Sequence, residues 1–201
     1  MLDARLGRLL APLLDTTAAR LVRHGVGADA ITWTGFGLGL ASAAAIACRQ
    51  PLAGLALMAT SRLCDGLDGA VARQTRPTDR GAFLDITLDF LFYASVPLAF
   101  ALADPAANAL AAAVLLAAFV GTGSSFLAFA VLAERRGLRS SRHPRKGLYY
   151  LGGLAEATET LACFAAMCLW PQHFVLLAYG FAALCGITTL TRLWWGWRAL
   201  R

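Results

Sequence analysis

Charge is scarce in this 201-residue chain: 15 % of its residues are Asp, Glu, Lys or Arg, where a soluble globular domain carries about a quarter. That scarcity argues against a water-soluble monomer. Cysteine is also sparse, with Cys48, Cys64, Cys163, Cys168 and Cys185 lying singly in apolar stretches without metal-ligand spacing. An odd count in such settings speaks against a disulfide framework or a zinc site, and these residues read as small buried hydrophobes. No internal repeat, low-complexity tract or linker divides the chain, so residues 1–201 read as one domain. No compact apolar run marks a cleavable leader, because Arg5, Arg8, Arg20 and Arg23 are spread among the first leucines; the N-terminus is expected to stay on the mature protein.

What the chain has in abundance is apolar length. Hydrophobic residues make up 58 % of it and the mean hydropathy is +0.60, the composition of an integral membrane protein. Six stretches approach the roughly 20 apolar residues that a helix needs to cross the hydrocarbon: residues 30–48, 52–72, 82–102, 106–132, 148–170 and 174–197. The expected fold is therefore all-α and polytopic. Ahead of the first span, Leu2, Leu6, Leu9, Leu10, Leu13 and Leu14 recur at helical spacing with Arg5, Arg8 and Asp15 between them, which predicts an amphipathic interfacial helix over about 2–23, with Pro12 as a point of bending.

The net charge of +6 would raise nucleic acid as a partner in a soluble chain, but its distribution reads as topology. Arg5, Arg8, Arg20 and Arg23 precede the first span, Arg73, Arg76 and Arg80 separate the second from the third, and Arg135, Arg136, Arg139, Arg142, Arg145 and Lys146 separate the fourth from the fifth. Arg198 and Arg201 close the chain, and the alternate connections hold only Arg49. The asymmetry predicts both termini and the two basic loops on the cytoplasmic side of the membrane. Trp194, Trp195 and Trp197, beside Arg192 and Arg198, read as an interfacial anchor. Gly35 and Gly39, and Gly121 with Gly123, Ser124 and Ser125, read as small faces where helices approach closely rather than as a dinucleotide fingerprint.

Packing does not account for the acids. Asp65 and Asp68 stand three apart; after Gly69, Ala72 and Arg73 come seven residues, and then Gly81, Asp85 and Asp89 follow at intervals of four. On helices each set falls on one face. Two antiparallel helices joined by the short polar segment 73–80 would bring both pairs together near the cytoplasmic surface. A charged Asp at the centre of a membrane helix costs about 2.5–3.5 kcal/mol, so four would cost at most about 10–14 kcal/mol. Hard divalent cations with oxygen ligands neutralise such a group, and the lack of His or Cys among the ligands disfavours softer metals. One or two Mg2+ or Mn2+ ions are expected on Asp65, Asp68, Asp85 and Asp89. Gly69 and Gly81 leave room for a ligand to reach the backbone, and metal-bridged carboxylates and phosphates suit phosphoryl transfer.

These residues match the signature of the CDP-alcohol phosphotransferase family: an Asp three residues before DGxxAR, then seven or eight residues and GxxxDxxxD. Every fixed position is present over Asp65 to Asp89, and the resemblance extends to the six-helix pattern with its N-terminal interfacial helix. It implies displacement of CMP from CDP-diacylglycerol by the hydroxyl of a small polar alcohol, in phospholipid biosynthesis, by a homodimer. It further implies Asp65, Asp68 and Asp85 as metal ligands, with Asp89 near the metals as general base. Thr32, Asp65, Gly69, Ala72, Arg73 and Gly81 would border the nucleotide. Many members open the first span with Pro, Asn, two residues and Thr, whereas this chain has Ala28, Asp29, Ala30, Ile31 and Thr32; Asp29 reads either as a helix cap or as an anionic nucleotide contact.

For the acceptor, Arg142, Arg145, Lys146 and Arg192 are candidate ligands of a phosphorylated alcohol. Glycerol 3-phosphate is the expected acceptor, with inositol phosphate, serine or another alcohol as alternatives. Glu156 and Glu159, placed two turns or more into the fifth span, are expected to face the bundle interior, a partner subunit or a hydrated cavity. A divalent-cation transporter is the competing reading; it would place acids near the midplane with polar residues lining both halves, whereas these cluster at one surface.

Overall fold

The computed structural model describes residues 2–136 and 154–200, and these are all-helical. α1 spans Leu2–Arg23, α2 Ala28–Ala47, α3 Pro51–Gln74, α4 Asp79–Ala103, α5 Pro105–Arg135, α6 Ala157–Leu169 and α7 Phe174–Ala199, the last entered through a short 3-10 turn at Pro171–His173. α1 runs unbroken through Pro12. The starts are set by local chemistry. The Thr78 hydroxyl accepts the Gly81 amide at 3.0 Å to cap α4, and Asp104 accepts the Ala107 amide at 3.2 Å to cap α5, which then opens on Pro105, where a missing N–H costs nothing.

Four helical segments, Ala28–Ala47, Asp79–Ala103, Pro105–Arg135 and Pro171–Ala199, are long and apolar enough to cross a membrane. The other two expected spans differ. α3 has 24 residues, ample length, but carries Arg62, Asp65, Asp68 and Arg73 along it. α6 has 13 residues, about 20 Å at 1.5 Å per residue, against roughly 30 Å of hydrocarbon; residues 148–153 of that expected span lie outside the described part. The shortening also moves Glu156 and Glu159. They stand at the start of the helix rather than two turns within it, Glu156 as the N-cap residue and Glu159 in the first turn.

The main core gathers Phe92, Val96 and Phe100 of α4, Leu115 of α5, Phe164 of α6 and Phe174 of α7, with Phe100 and Phe174 stacked at 4.6 Å between centroids. A second, smaller cluster of Ala18, Ile31, Ala70 and Val71 seats α1 against α2 and α3. Outward side chains are apolar too: Leu110, Val120, Leu176 and Trp197 are each at least 70 % exposed, as suits a surface solvated by lipid. Of the cysteines, Cys168 and Cys185 are buried as expected, but Cys48 is exposed at the end of α2 and Cys64 and Cys163 are half-buried. All five are free thiols.

The glycine faces work as close contacts. A Cβ on Gly35 would stand 2.9 Å from the Cys64 Cβ, and one on Gly39 2.7 Å from the Phe92 ring and 3.2 Å from the Ser61 hydroxyl. In the space so released, Ser61 donates to the Gly35 carbonyl at 2.7 Å and Ser42 to the Gly54 carbonyl at 2.7 Å, two buried bonds that lock α2 to α3. Gly39→Ala is therefore expected to destabilise the fold by about 1–3 kcal/mol through overpacking, measured as a lowered unfolding midpoint in detergent; an unchanged midpoint would show that Phe92 moves freely. Gly123 serves Phe90 in the same way, 2.5 Å from a built Cβ.

Candidate active site

α3 and α4 both pack against α2, and the capped start of α4 sets the carboxylates of its first three turns beside those of α3. One carboxylate oxygen each from Asp65, Asp68 and Asp85 lie within 4.8 Å of one another. Oxygens on opposite sides of an ion bound at 2.0–2.6 Å stand about 4.0–5.2 Å apart, so these three can converge on one ion. Asp68 is 5 % exposed and Asp85 is open to solvent, giving the group a buried floor and an accessible mouth. Thr32 of α2 donates to Asp68 Oδ2 at 2.6 Å. That bond orients the carboxylate, the arrangement by which outer partners set the geometry of ligands. The donor set is oxygen only, which matches Mg2+ or Mn2+.

Asp89 lines the same narrow cleft, together with Thr32, Gly35, Ser61, Arg62 and Leu88, but it stands outside the three-carboxylate group. Its Oδ1 is 2.6 Å from Nη1 of Arg62. The same nitrogen is 3.8 Å from Asp65 Oδ2, Nη2 is 3.2 Å from the Ser61 hydroxyl, and the guanidinium lies 4.0 Å above the Phe92 ring. Arg62 is a residue of the site that the signature does not contain; its position one turn before Asp65 was the available signal.

Of the expected nucleotide-side residues, Thr32 and Asp65 line the cleft, whereas Gly69, Ala72, Arg73 and Gly81 are not among its lining residues. Arg73 folds back along its helix, with Nη1 3.3 Å from where a Gly69 Cβ would be and Nη2 of the same guanidinium 3.7 Å from Asp15 Oδ1 of α1. Ala72 follows half-buried on the same helix. A Cβ on Gly81 would meet only the Thr78 hydroxyl at 3.2 Å and Asp29 Oδ1 at 3.6 Å. Gly69 and Gly81 thus face a movable side chain and polar oxygens, not packed backbone. Asp29 is neither cap nor free: it makes no side-chain cap to α2, whose N-cap is Gly27, and it pairs with Arg80, so its charge is held at the rim beside Gly81.

Of the acceptor candidates, Arg142, Arg145 and Lys146 lie outside the described residues. Arg192 does not join the carboxylate cleft. It is 8 % exposed, donates to the Thr122 carbonyl of α5 at 2.9 Å and lines a separate cavity between α5 and α7 with Ser125, Phe129 and Trp197. Glu159 is turned inward, with Oε2 buried and finding no hydrogen-bond partner among the described residues.

A chain from Escherichia coli strain K12, inner membrane protein YnjF, is 48 % identical over 201 residues, covering 100 % of this chain and 98 % of that one. Archaetidylinositol phosphate synthase of Methanothermobacter thermautotrophicus is 45 % identical over 85 residues, 42 % of this chain and 40 % of that enzyme. Among solved structures, phosphatidylinositol phosphate synthase PgsA1 of Mycobacterium tuberculosis with CDP-DAG bound superposes with a TM-score of 0.74 at 23 % identity, covering 92 % of this chain and 94 % of that one. Its complex with manganese and citrate gives a TM-score of 0.72 at 24 % identity, covering 92 % and 88 %. These two share the fold. The family model for CDP-alcohol phosphatidyltransferase matches residues 26–195, a stretch that contains every carboxylate of the cleft, and the chain belongs to the CDP-alcohol phosphatidyltransferase family.

Proposed function

We propose that this enzyme transfers a phosphatidyl group from CDP-diacylglycerol to the hydroxyl of a small polar alcohol and releases CMP, with Mg2+ or Mn2+ on Asp65, Asp68 and Asp85. The observation that carries the reading is the convergence of those three carboxylates from two helices within 4.8 Å, with Asp89 on the same cleft. When bound, the ion neutralises charge on the donor's diphosphate, which eases departure of CMP. Asp68, oriented by Thr32, fixes the floor of the site. Gly69, Ala72, Arg73 and Gly81 border the cytidine nucleotide at the mouth. Asp89 accepts the proton of the acceptor hydroxyl as its oxygen bonds to the phosphorus and the bond from phosphorus to the CMP oxygen breaks.

The acceptor expected from the sequence is glycerol 3-phosphate, and the likeness to an enzyme named archaetidylinositol phosphate synthase favours inositol phosphate as the second reading. Both are phosphorylated polyols, for which Arg142, Arg145 and Lys146 are the candidate ligands. The setting that accords with this chemistry is a bacterial inner membrane crossed six times, with α3 and the segment that includes α6 as the remaining spans. α1 would lie in the interface, both termini and the cleft would face the cytoplasm, and the enzyme would be a homodimer. The basic connections support that orientation, and the relative named an inner membrane protein supports the membrane.

The test is CMP release from CDP-diacylglycerol by the purified full chain, with Mn2+ and separately glycerol 3-phosphate, inositol phosphate and serine. One phosphorylated polyol is expected to stimulate release, and EDTA to abolish it. Stimulation by serine alone would overturn the phosphorylated acceptor, and release that withstands EDTA would overturn the metal role. Cation flux in proteoliposomes lacking CDP-diacylglycerol would favour the transporter instead.

A further inference from the structure

Asp89 of α4 is tied to the backbone of α2 through two neighbouring residues of α3. Ser61 donates to the Gly35 carbonyl at 2.7 Å, the same hydroxyl oxygen accepts Arg62 Nη2 at 3.2 Å, and Arg62 Nη1 donates to Asp89 Oδ1 at 2.6 Å. A serine hydroxyl has one proton and two lone pairs, so with its proton committed to Gly35, Ser61 meets the guanidinium as an acceptor. The chain of bonds is shielded from water. Ser61 is fully buried, the Arg62 side chain is 15 % exposed, and the guanidinium lies 4.0 Å from the centre of the Phe92 ring. Gly35 admits the first link, since a Cβ there would stand 2.9 Å from the Cys64 Cβ.

Helical spacing fixes where Asp89 stands on α4 but not the rotation of its carboxylate. The link to α2 fixes that rotation. A guanidinium is planar and permanently charged, with its N–H groups in set directions, so an arginine held at Nη2 by Ser61 presents Nη1 along one line. The oxygen that meets it is Oδ1, in a short charge-assisted bond. Asp65 Oδ2, 3.8 Å from the same nitrogen, is beyond hydrogen-bonding distance. Arg62 therefore bonds one acid of the cleft and engages one of its two oxygens.

Resting on the general-base reading of Asp89 proposed above, we infer that Ser61 and Arg62 are positioning residues for that base: together they pin Asp89 Oδ1 to α2, and Oδ2 is the atom that takes the proton. The proton of the acceptor hydroxyl passes to Oδ2, the acceptor oxygen bonds to phosphorus, and CMP departs with the electrons of the broken P–O bond. What Ser61 and Arg62 supply is distance and direction. Misplacing a reacting group by about 1 Å can cost about 10²-fold, and a base must stand within hydrogen-bond reach of its proton.

Double-mutant cycles on the purified full chain test this, with acceptor-dependent CMP release followed in single turnover. Arg62→Gln is expected to lower the rate about 10–100-fold, the range for a partner that orients a functional group. Ser61→Ala, which keeps both charges, is expected to lower it less and to leave the half-saturating CDP-diacylglycerol concentration unchanged. On an Asp89→Asn background both substitutions are expected to change the remaining rate by less than about 2-fold, because no base is left to position. Losses that multiply with that of Asp89→Asn, or wild-type rates in either single variant, would overturn the inference. Arg62→Gln leaves a half-buried carboxylate without its counter-charge; if it does not fold, Arg62→Lys takes its place in the cycle, keeping the charge without the planar fork, and the same outcomes decide. A wild type that releases no CMP with acceptor and Mn2+ present would overturn the underlying functional reading, a distinct failure.

Discussion

Asp68→Asn is expected to lower CMP release more than about 100-fold, since loss of an outer partner of a ligand already costs about 10–100-fold and loss of the ligand's own charge costs more. The substitution suits the site sterically. Asn keeps an oxygen to accept the Thr32 hydroxyl, now at 2.6 Å from Asp68 Oδ2, so the α2 to α3 contact survives. What it removes is one negative charge from a buried position that is 5 % exposed. Without metal, three carboxylates within 4.8 Å repel, and relieving that repulsion is expected to leave the metal-free variant at least as stable as the metal-free wild type. With Mn2+ the order reverses, because stabilisation by a ligand follows its affinity for the folded state. The checks are unfolding temperatures with and without Mn2+ beside the CMP assay. A variant that keeps the full Mn2+-induced rise would remove Asp68 from the ligand set. Thr32→Val, which removes only the orienting bond, is expected to fall within the 10–100-fold range.

Asp89→Asn is the second large effect and has the opposite metal signature. A positioned general base contributes about 10²–10⁴-fold, and acceptor-dependent release is expected to fall by that factor. Mn2+ binding is expected to persist, because Asp89 stands outside the three-carboxylate group and is held by Arg62. Asn retains an oxygen for the guanidinium, so Arg62 keeps a neutral partner and its other contacts to Ser61 and Phe92. Unchanged acceptor-dependent release would contradict the general-base role. Loss of Mn2+ binding would place Asp89 among the metal ligands.

The contrast between these two aspartates shows which parts of the site a sequence can carry. The intervals of three and four that join Asp65 to Asp68 and Asp85 to Asp89 follow from helical geometry, and the convergence of Asp65, Asp68 and Asp85 was readable from them with the short 73–80 connection. Thr32 lies 36 positions from Asp68, and its place beside the acids came only through a family pattern. The separation of Asp89 from the other three was not readable. It depends on Arg62, whose partner is 27 positions away on another helix, and no local rule states which of several acids an arginine will choose. The fold divides similarly. Long apolar runs gave α2, α4, α5 and α7 with ends shifted by a few residues, and the leucine spacing gave the bounds of α1. The start of α6 was misplaced because hydropathy alone carries residues 148–170 as one run, while the backbone turns at 154–156 and Leu154 and Ala155 donate instead to the buried Thr188 hydroxyl of α7 at 3.1 and 3.0 Å. Arg192 was assigned to an acceptor site on its position near a helix end, whereas its guanidinium donates across to α5.

The central claim, that the carboxylate cleft performs metal-dependent phosphatidyl transfer, is tested most directly by following CMP from CDP-diacylglycerol in the purified, reconstituted full chain as acceptor and Mn2+ are added in turn. The account predicts release only when both are present, with Asp68→Asn inactive at every Mn2+ concentration that saturates the wild type. CMP release that persists in EDTA, or an Asp68→Asn variant as active as the wild type, would contradict it.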